Sequence, residues 1–403
     1  MTRELNILII SPHYRFLMKD LSETIAKYVN KITIMISYNV LVDLLRYMPL
    51  GGIFDSIRAW NTKEKLLDLQ GKPGNIDIHL LSMLYYVRDG KNKSLGDKIA
   101  KKAEEIIDRE NIEFDLIHAH FTYPHGYAAV KLGKKYNIPV VIIAHGYDVY
   151  DLPFRDKEWE KKIKWTLNQT NHVITVSQSN KKILVEKLGV SENKLYVIPN
   201  GFNSKSFYPI IDKTNVKQKL NLPLDKKIVL NVANLHPVKG QRYLIEAVKE
   251  IVKHREDVLY IIIGDGMLRK DLKAQIKKLG LENYVKLAGP KPHDEIPLWM
   301  NTADLFVLPS LSEGNPTVMF EALGAGLPFV GTRVGGVPEI INSEDYGLLC
   351  ESANPKDLAE KILIGLDKEW DREKILEYAK QFTWENIAKE IMEIYNKLLS
   401  EAK

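Results

Sequence analysis

The sequence is nearly devoid of cysteine. Cys350 is the only one in 403 residues, which excludes an intramolecular disulfide and any cysteine-built metal site and makes no demand for an oxidising compartment. There is also no uninterrupted run of about 18 apolar residues, so no membrane-spanning helix is expected. The nearest approach, Val40 to Phe54, is broken by Asp43, Arg46 and Pro49, and reads either as an interfacial segment or as an ordinary buried helix followed by a turn. No basic segment and cleavage site precede the first apolar stretch at Ile7 to Ile10, so the expected location is cytoplasmic. Charge of one sign is not in marked excess: the net charge is +5, with Asp and Glu interleaved among the lysines, and nucleic-acid binding is not expected. Short-period repeats and low-complexity tracts are missing as well.

What the chain does have is ordinary globular composition, 45% hydrophobic and 27% charged, at a length that exceeds one growing hydrophobic core. Two domains are expected. Short β-branched runs alternate with helical stretches almost throughout, a rhythm that calls for parallel sheets with crossover helices on both faces. In the first half the strand candidates are Asn6 to Ser11, Lys31 to Ser37, Ile76 to Ser82, Asp115 to His120, Val140 to His145, His172 to Ser177 and Leu195 to Pro199. In the second half they are Lys227 to Asn234, Val258 to Gly264, Val285 to Gly289, Leu305 to Pro309, Phe329 to Thr332 and Gly347 to Cys350. From Ser94 to Arg109, apolar Leu95, Ile99, Ala103, Ile106 and Ile107 recur at helical spacing. The proline-bearing stretch Tyr208 to Lys227 separates the two series. The expected organisation is therefore α/β, with two doubly wound Rossmann-like domains facing across a cleft. Residues 1–207 form an acceptor-side domain, residues 208–384 a donor domain, and residues 385–403 a final amphipathic helix crossing back to the first.

Ligands of open α/β sheets bind beyond the carboxyl ends of strands, so the residues that follow each strand matter most. The segment Ser310 to Gly326, SLSEGNPTVMFEALGAG, follows the strand LFVLP directly. Glu313 falls in its loop, Pro316 fits the first turn of the next helix, and Glu321 lies within that helix. Backbone N–H groups from Gly314 to Val318, through Asn315 and Thr317, are expected at a helix N-terminus, where a diphosphate can sit. Two carboxylates would repel a phosphate, so they make sense as acceptors of hydrogen bonds from neutral hydroxyls such as ribose and sugar diols. Lys239 follows a strand and a proline turn. Gly264 and Gly266 also follow a strand but lack the third glycine of the dinucleotide pattern.

The segment EGNPTVMFEALGAGLPFVGTRVGGVPEII resembles the donor-site signature of the family 4 retaining glycosyltransferases, which have the GT-B fold. HGYD at His145 to Asp148, VSQSNK, VIPNGFN, VKG at Val238 to Gly240, GDG at Gly264 to Gly266 and FTWENIAKEIMEIY match in the same order. The resemblance implies that Glu321 holds the ribose, that Glu313 and the backbone after it hold the transferred sugar, and that Lys239 neutralises the departing diphosphate. It further implies that His145 lies beside the donor sugar with Asp148 orienting its loop, and that Leu287 to His293, including Lys291, lies near the base. His13, Arg15 and His120 fall at strand ends expected to face the acceptor. Two departures stand out. Ala233 and Asn234 occupy the positions of a usual Gly-Arg pair, leaving Asn234 as a neutral donor or Arg15 or Arg333 as a substitute cation, and SPHYRF replaces a usual Gly-Gly loop.

The resemblance thus implies a metal-independent hexosyl or N-acetylhexosaminyl transferase with no cofactor, a nucleotide-diphosphate sugar as donor, and retention of anomeric configuration. The expected acceptor is an unidentified glycan or lipid-linked hydroxyl in surface polysaccharide, glycolipid or glycoprotein glycan synthesis. Lys161, Lys162 and Lys164, with the Val40 to Phe54 segment, would suit peripheral contact with the cytoplasmic membrane face. A nucleotide-sugar epimerase of the same architecture and a non-catalytic sugar-nucleotide binder remain alternatives. An oxidoreductase is disfavoured by the absence of Gly-x-Gly-x-x-Gly after the first strand.

Overall fold

A computed structural model describes residues 5–42, 63–85, 91–210 and 212–401. The chain divides into two compact units, Met1–Pro199 with Glu385–Lys403, and Asn200–Trp384. The doubly wound α/β organisation read from the sequence is the one observed.

The first unit is built on seven parallel strands, β1 (Asn6–Ser11), β2 (Lys31–Asn39), β3 (Ile76–Met83), β4 (Leu116–His120), β5 (Val140–Ala144), β6 (His172–Thr175) and β7 (Leu195–Val197). Their order across the sheet is β3-β2-β1-β4-β5-β6-β7. Parallel strands need crossover connections, and the crossing helices cover both faces, which is why β4 and β5 are buried along their whole length and β1 is buried from Ile7 onward. The helix Leu95–Glu110 illustrates the fit. Leu95, Ile99, Ala103, Ile106 and Ile107 are buried, each leucine or isoleucine contributing roughly 1.5–3 kcal/mol, and Asn111 ends the helix in a left-handed conformation.

The second unit carries six parallel strands, β8 (Lys227–Val232), β9 (Val258–Ile263), β10 (Val285–Gly289), β11 (Leu305–Leu308), β12 (Phe329–Thr332) and β13 (Gly347–Cys350), in the order β10-β9-β8-β11-β12-β13. In both sheets the winding direction reverses once, between β1 and β4 and between β8 and β11. Those reversals open a crevice at the carboxyl ends of the two central strands. In this way residues distant in sequence come to adjoin in each unit.

The junction lies at Asn200 rather than at the expected Tyr208. Phe202 and Phe207 belong to the second unit's core with Phe320, Leu323 and Phe382, so the segment Asn200 to Phe207 opens the second unit instead of ending the first. The helix Trp384–Glu401 belongs from Glu385 onward to the first unit, where Ile387, Ile391, Ile394, Tyr395 and Leu398 are buried. Residues 43–54 of the apolar segment singled out in the sequence lie outside the described residues. Among the described residues, no helix is long and apolar enough to cross a membrane.

Candidate functional site

The reversal in the second unit brings the exits of β8 and β11 together. After β8 the chain runs through Ala233 and Asn234 into a single 3-10 turn, Pro237–Lys239, and then Gly240 at φ +69°. A Cβ at Gly240 would stand 1.9 Å from the Pro309 carbonyl oxygen, so only glycine lets the two exits approach this closely. The Leu311 N–H donates to the Val238 carbonyl at 2.7 Å across the same contact. Lys239 and Glu313, 74 residues apart, meet as a result: Nζ lies 2.6 Å from Oε1. Ser310 Oγ donates to that same oxygen at 2.7 Å. Glu313 is only 7% exposed, and among the described residues both of its side-chain hydrogen bonds fall on Oε1.

Two further contacts hold the loop. Gly335, at φ +52°, passes so close to the Glu313 carbonyl that a Cβ would lie 1.7 Å from it, and the Gly336 N–H donates to the Gly314 carbonyl at 2.9 Å. Asn315 accepts from the Asn200 N–H at Oδ1 (2.8 Å) and from Asn200 Nδ2 at its carbonyl (2.6 Å). Pro316 is the N-cap of the helix Thr317–Gly324 rather than part of its first turn, because its extended ψ of 119° precedes the helical residues. Thr317 and Val318 therefore open the helix, where the first N–H groups have no carbonyl in the helix to bond.

Glu321 projects from this helix, 9% exposed, with Oε1 2.9 Å from His293 Nε2. The two glutamates share one pattern: a cationic or imidazole partner occupies Oε1, and no described residue bonds Oε2. His293 begins a 3-10 turn after β10 and packs its ring 5.5 Å from Phe207. Lys291 makes no hydrogen bond to either glutamate and lies over the Trp299 ring at 5.2 Å. Gly264 and Gly266 take φ values of +142° and +157°, but the backbone they approach is that of the β8 exit. Cβ atoms there would stand 2.0 Å from the Ala233 oxygen and 2.5 Å from the Leu235 oxygen. Asn234 accepts from Gln241 Nε2 at its carbonyl (3.0 Å). Arg333 lies 3.7 Å from Glu351 and is not paired with Glu313.

In the first unit the corresponding strand ends are lined with imidazoles. His118 and His120 lie two apart on β4 and so share a face of the sheet, with ring centroids 4.6 Å apart. His120 Nδ1 is 3.0 Å from Nε2 of His145, which follows the neighbouring β5. Tyr395 OH, from the final helix, is 2.6 Å from His118 Nδ1. Burial lowers the pKa of His118, His125 and His145 to about 3, and that of His120 well below its ordinary value with repulsion from its neighbours adding to the effect. His13, beyond β1, is lowered to about 4 by burial and by the nearby Arg15. Arg15 itself lies over the Phe16 ring at 4.8 Å and donates to the Lys65 carbonyl. His118, His125, Ser310 and His293 were not singled out as site residues from the sequence. The alternation His118-Ala-His120 within a strand is the one signal that could have found any of them.

Asp148 is wholly buried and accepts backbone N–H bonds from Thr122 (2.8 Å), His145 (3.1 Å) and Gly146 (2.8 Å). Burial raises its pKa, and these donors oppose that shift. Asp148 is thus the clamp that ties the His145 loop to the segment after β4. Asp148→Ala strands three backbone N–H groups, two of them in buried contacts, and is expected to cost about 3–5 kcal/mol, lowering the melting temperature of the first unit by roughly 6–15 °C in a calorimetric scan. Among the described residues, no group of three or more His, Cys, Asp or Glu side chains is placed to hold a metal ion.

The model of the family described as Glycosyl transferases group 1 matches residues 212–382, and that of Glycosyltransferase Family 4 matches residues 71–206. An uncharacterized glycosyltransferase of Methanocaldococcus jannaschii is 31% identical over 90% of this chain and 99% of its own length. The N-acetyl-alpha-D-glucosaminyl L-malate synthase of Bacillus anthracis is 29% identical over 76% of this chain and 80% of its own. The crystal structure of HepE from Anabaena in complex with UDP superposes with a TM-score of 0.74, at 21% identity, over 98% of this chain and 100% of that one. With two Rossmann-like sheets each reversing at its centre and family models matched in both units, the chain belongs to the family 4 glycosyltransferases of GT-B fold.

Proposed function

We propose that this glycosyltransferase moves a hexosyl or N-acetylhexosaminyl group from a nucleoside-diphosphate sugar to a hydroxyl acceptor, with retention and without a metal ion. The observation that carries the reading is the pair of glutamates flanking the start of the helix Thr317–Gly324, each with one carboxylate oxygen tied and the other bonded by no described residue, beside Lys239. Such carboxylate oxygens suit ribose and sugar hydroxyls. Lys239 and the first N–H groups of the helix suit the diphosphate, and Lys239 supplies positive charge where a metal otherwise would. Support for the donor class comes from the relative named for N-acetylglucosaminyl transfer and from the UDP held by the structural neighbour.

In this reading the bond from the anomeric carbon to the phosphate oxygen breaks as the acceptor oxygen bonds the same face of the sugar. The leaving phosphate oxygen takes the acceptor hydroxyl's proton, and Lys239 stabilises the developing charge. The acceptor belongs to surface polysaccharide, glycolipid or glycoprotein glycan synthesis, and the chemistry needs no cofactor. A cytoplasmic site of action, with peripheral contact at the membrane face, fits a lipid-linked acceptor. Lys162 and Lys164, however, are already engaged with the Tyr127 ring and with Glu160.

A thermal-shift panel of UDP-, GDP- and ADP-sugars tests the donor half. One series is expected to raise the melting temperature, and Glu321→Ala is expected to abolish that shift. No shift with any nucleotide sugar, or an unchanged shift in Glu321→Ala, would overturn it. Proton NMR of the product decides the stereochemistry: an inverted anomeric configuration rules out the retaining path.

A further inference from the structure

Among the described residues, His293 is the only hydrogen-bond partner of the Glu321 side chain, with Nε2 2.9 Å from Oε1. An ionised carboxylate only accepts, so Nε2 must carry a hydrogen and donate it. The pair lies wholly within the second unit, between the turn that follows β10 and the helix Thr317–Gly324. Its two members are fixed to different degrees. His293 comes directly after Pro292 and opens the 3-10 turn His293–Glu295, which the Glu295 N–H closes on the Pro292 carbonyl at 3.1 Å. Its ring packs 5.5 Å from that of the buried Phe207. Glu321 has a long, rotatable side chain whose carboxylate is tied by nothing else among the described residues. The imidazole therefore sets the place of the carboxylate, and not the reverse.

That place matters because of where Glu321 stands on its helix. Four positions after Thr317, it shares the face of the first turn, and helical side chains lean toward the N-terminus. The carboxylate is thus carried toward the helix start, where the first N–H groups suit a diphosphate. Left untied, it would swing away from an incoming diphosphate, because like charges repel and other rotamers are within reach. Tied at Oε1, it stays, and Oε2 is left for a neutral hydroxyl.

We propose that His293 is a positioning residue that gives the donor site its preference for ribonucleotides: by holding Glu321 through Oε1, it keeps Oε2 in place for a ribose hydroxyl of a nucleoside diphosphate. Glu321 makes the bond to the hydroxyl, and His293 sets what that bond is worth. This rests on the nucleotide-sugar reading above for the class of ligand, and the experiment separates the two.

UDP, GDP and ADP are titrated calorimetrically into the wild type, and the one that binds is compared with its 2′-deoxy and 3′-deoxy forms. Removal of the gripped hydroxyl is expected to weaken binding about tenfold or more, the loss of a hydrogen bond to a charged acceptor. His293→Phe keeps a ring beside Phe207 and removes the donor. It is expected to weaken the ribonucleotide by about tenfold and to leave that deoxy form within about twofold of its wild-type affinity, so that the two bind alike. His293→Gln, whose amide can place an N–H near the position of Nε2, restores the preference to within about threefold.

A ring that only supported the fold would weaken both forms equally. An unchanged ratio in His293→Phe therefore overturns the proposal while the nucleotide reading stands, as does a wild type that binds ribo and deoxy forms alike. Failure of all three diphosphates to bind the wild type overturns both.

Discussion

Lys239→Ala is expected to lower kcat by about 100- to 1,000-fold, the range seen when one pre-placed group facing developing charge is removed. Among the described residues the side chain has a single hydrogen-bond partner, Glu313 Oε1 at 2.6 Å, and Gly240 and Pro309 hold the turn beneath it at van der Waals limits. Its position is thus set by backbone packing before any substrate arrives. Removing it does two things at once. The departing diphosphate loses its cation, and Glu313 is left as a buried carboxylate supported by Ser310 alone. The second effect also repels the donor, so KM should rise. Glu313→Gln in the Lys239→Ala background removes the stranded charge and is expected to recover donor binding without recovering kcat. Steady-state kinetics on the single and double variants separate the two contributions, and a kcat for Lys239→Ala within threefold of wild type refutes the assignment.

Acidification is expected to unfold the first unit well before the second. His13, His118, His120, His125 and His145 are all held below the ordinary histidine pKa by burial, and His172 shifts the same way. An unfolded chain takes up these protons near pH 6.5, whereas the folded unit refuses them until about pH 3 to 4. Between those limits the unfolded state binds more protons, so stability is fully present above pH 6.5 and is lost as the pH falls. Each group contributes a slope of up to about 1.4 kcal/mol per pH unit. The raised pKa values of Asp148, Glu23 and Glu390 act in the opposite direction, but three carboxyls oppose six imidazoles. Calorimetry at pH 7 and pH 5 should show the first unit's transition moving down by many degrees more than the second's. Equal shifts would mean that these histidines are protonated in the native unit.

The strands were legible because their chemistry is local. A strand with helices on both faces is largely apolar, and each of the thirteen expected runs contains a strand of the structure. The glutamate loop was legible for the same reason, since Glu313, Pro316 and Glu321 stand within one short segment. What the sequence hid were the partners. Lys239 meets Glu313 across 74 residues, His293 meets Glu321 across 28, and Tyr395 meets His118 across 277. Sheet order and the docking of the final helix make these neighbours, and no spacing encodes either. The domain boundary was not legible: Phe202 and Phe207 read as the end of the first domain but fill the second core.

The path of the chain at the junction has its own consequence. Asn200 to Trp384 form one unit, and within it the incoming and outgoing segments lie side by side, with Phe202 N–H bonded to the Phe382 carbonyl at 3.0 Å and Trp384 N–H to the Phe202 carbonyl at 3.1 Å. The second body is in effect an insertion with adjacent ends, well suited to excision or circular permutation. The first body cannot close its core until residues 385 to 401 have been synthesised, so on the ribosome the part begun earliest is the part completed last.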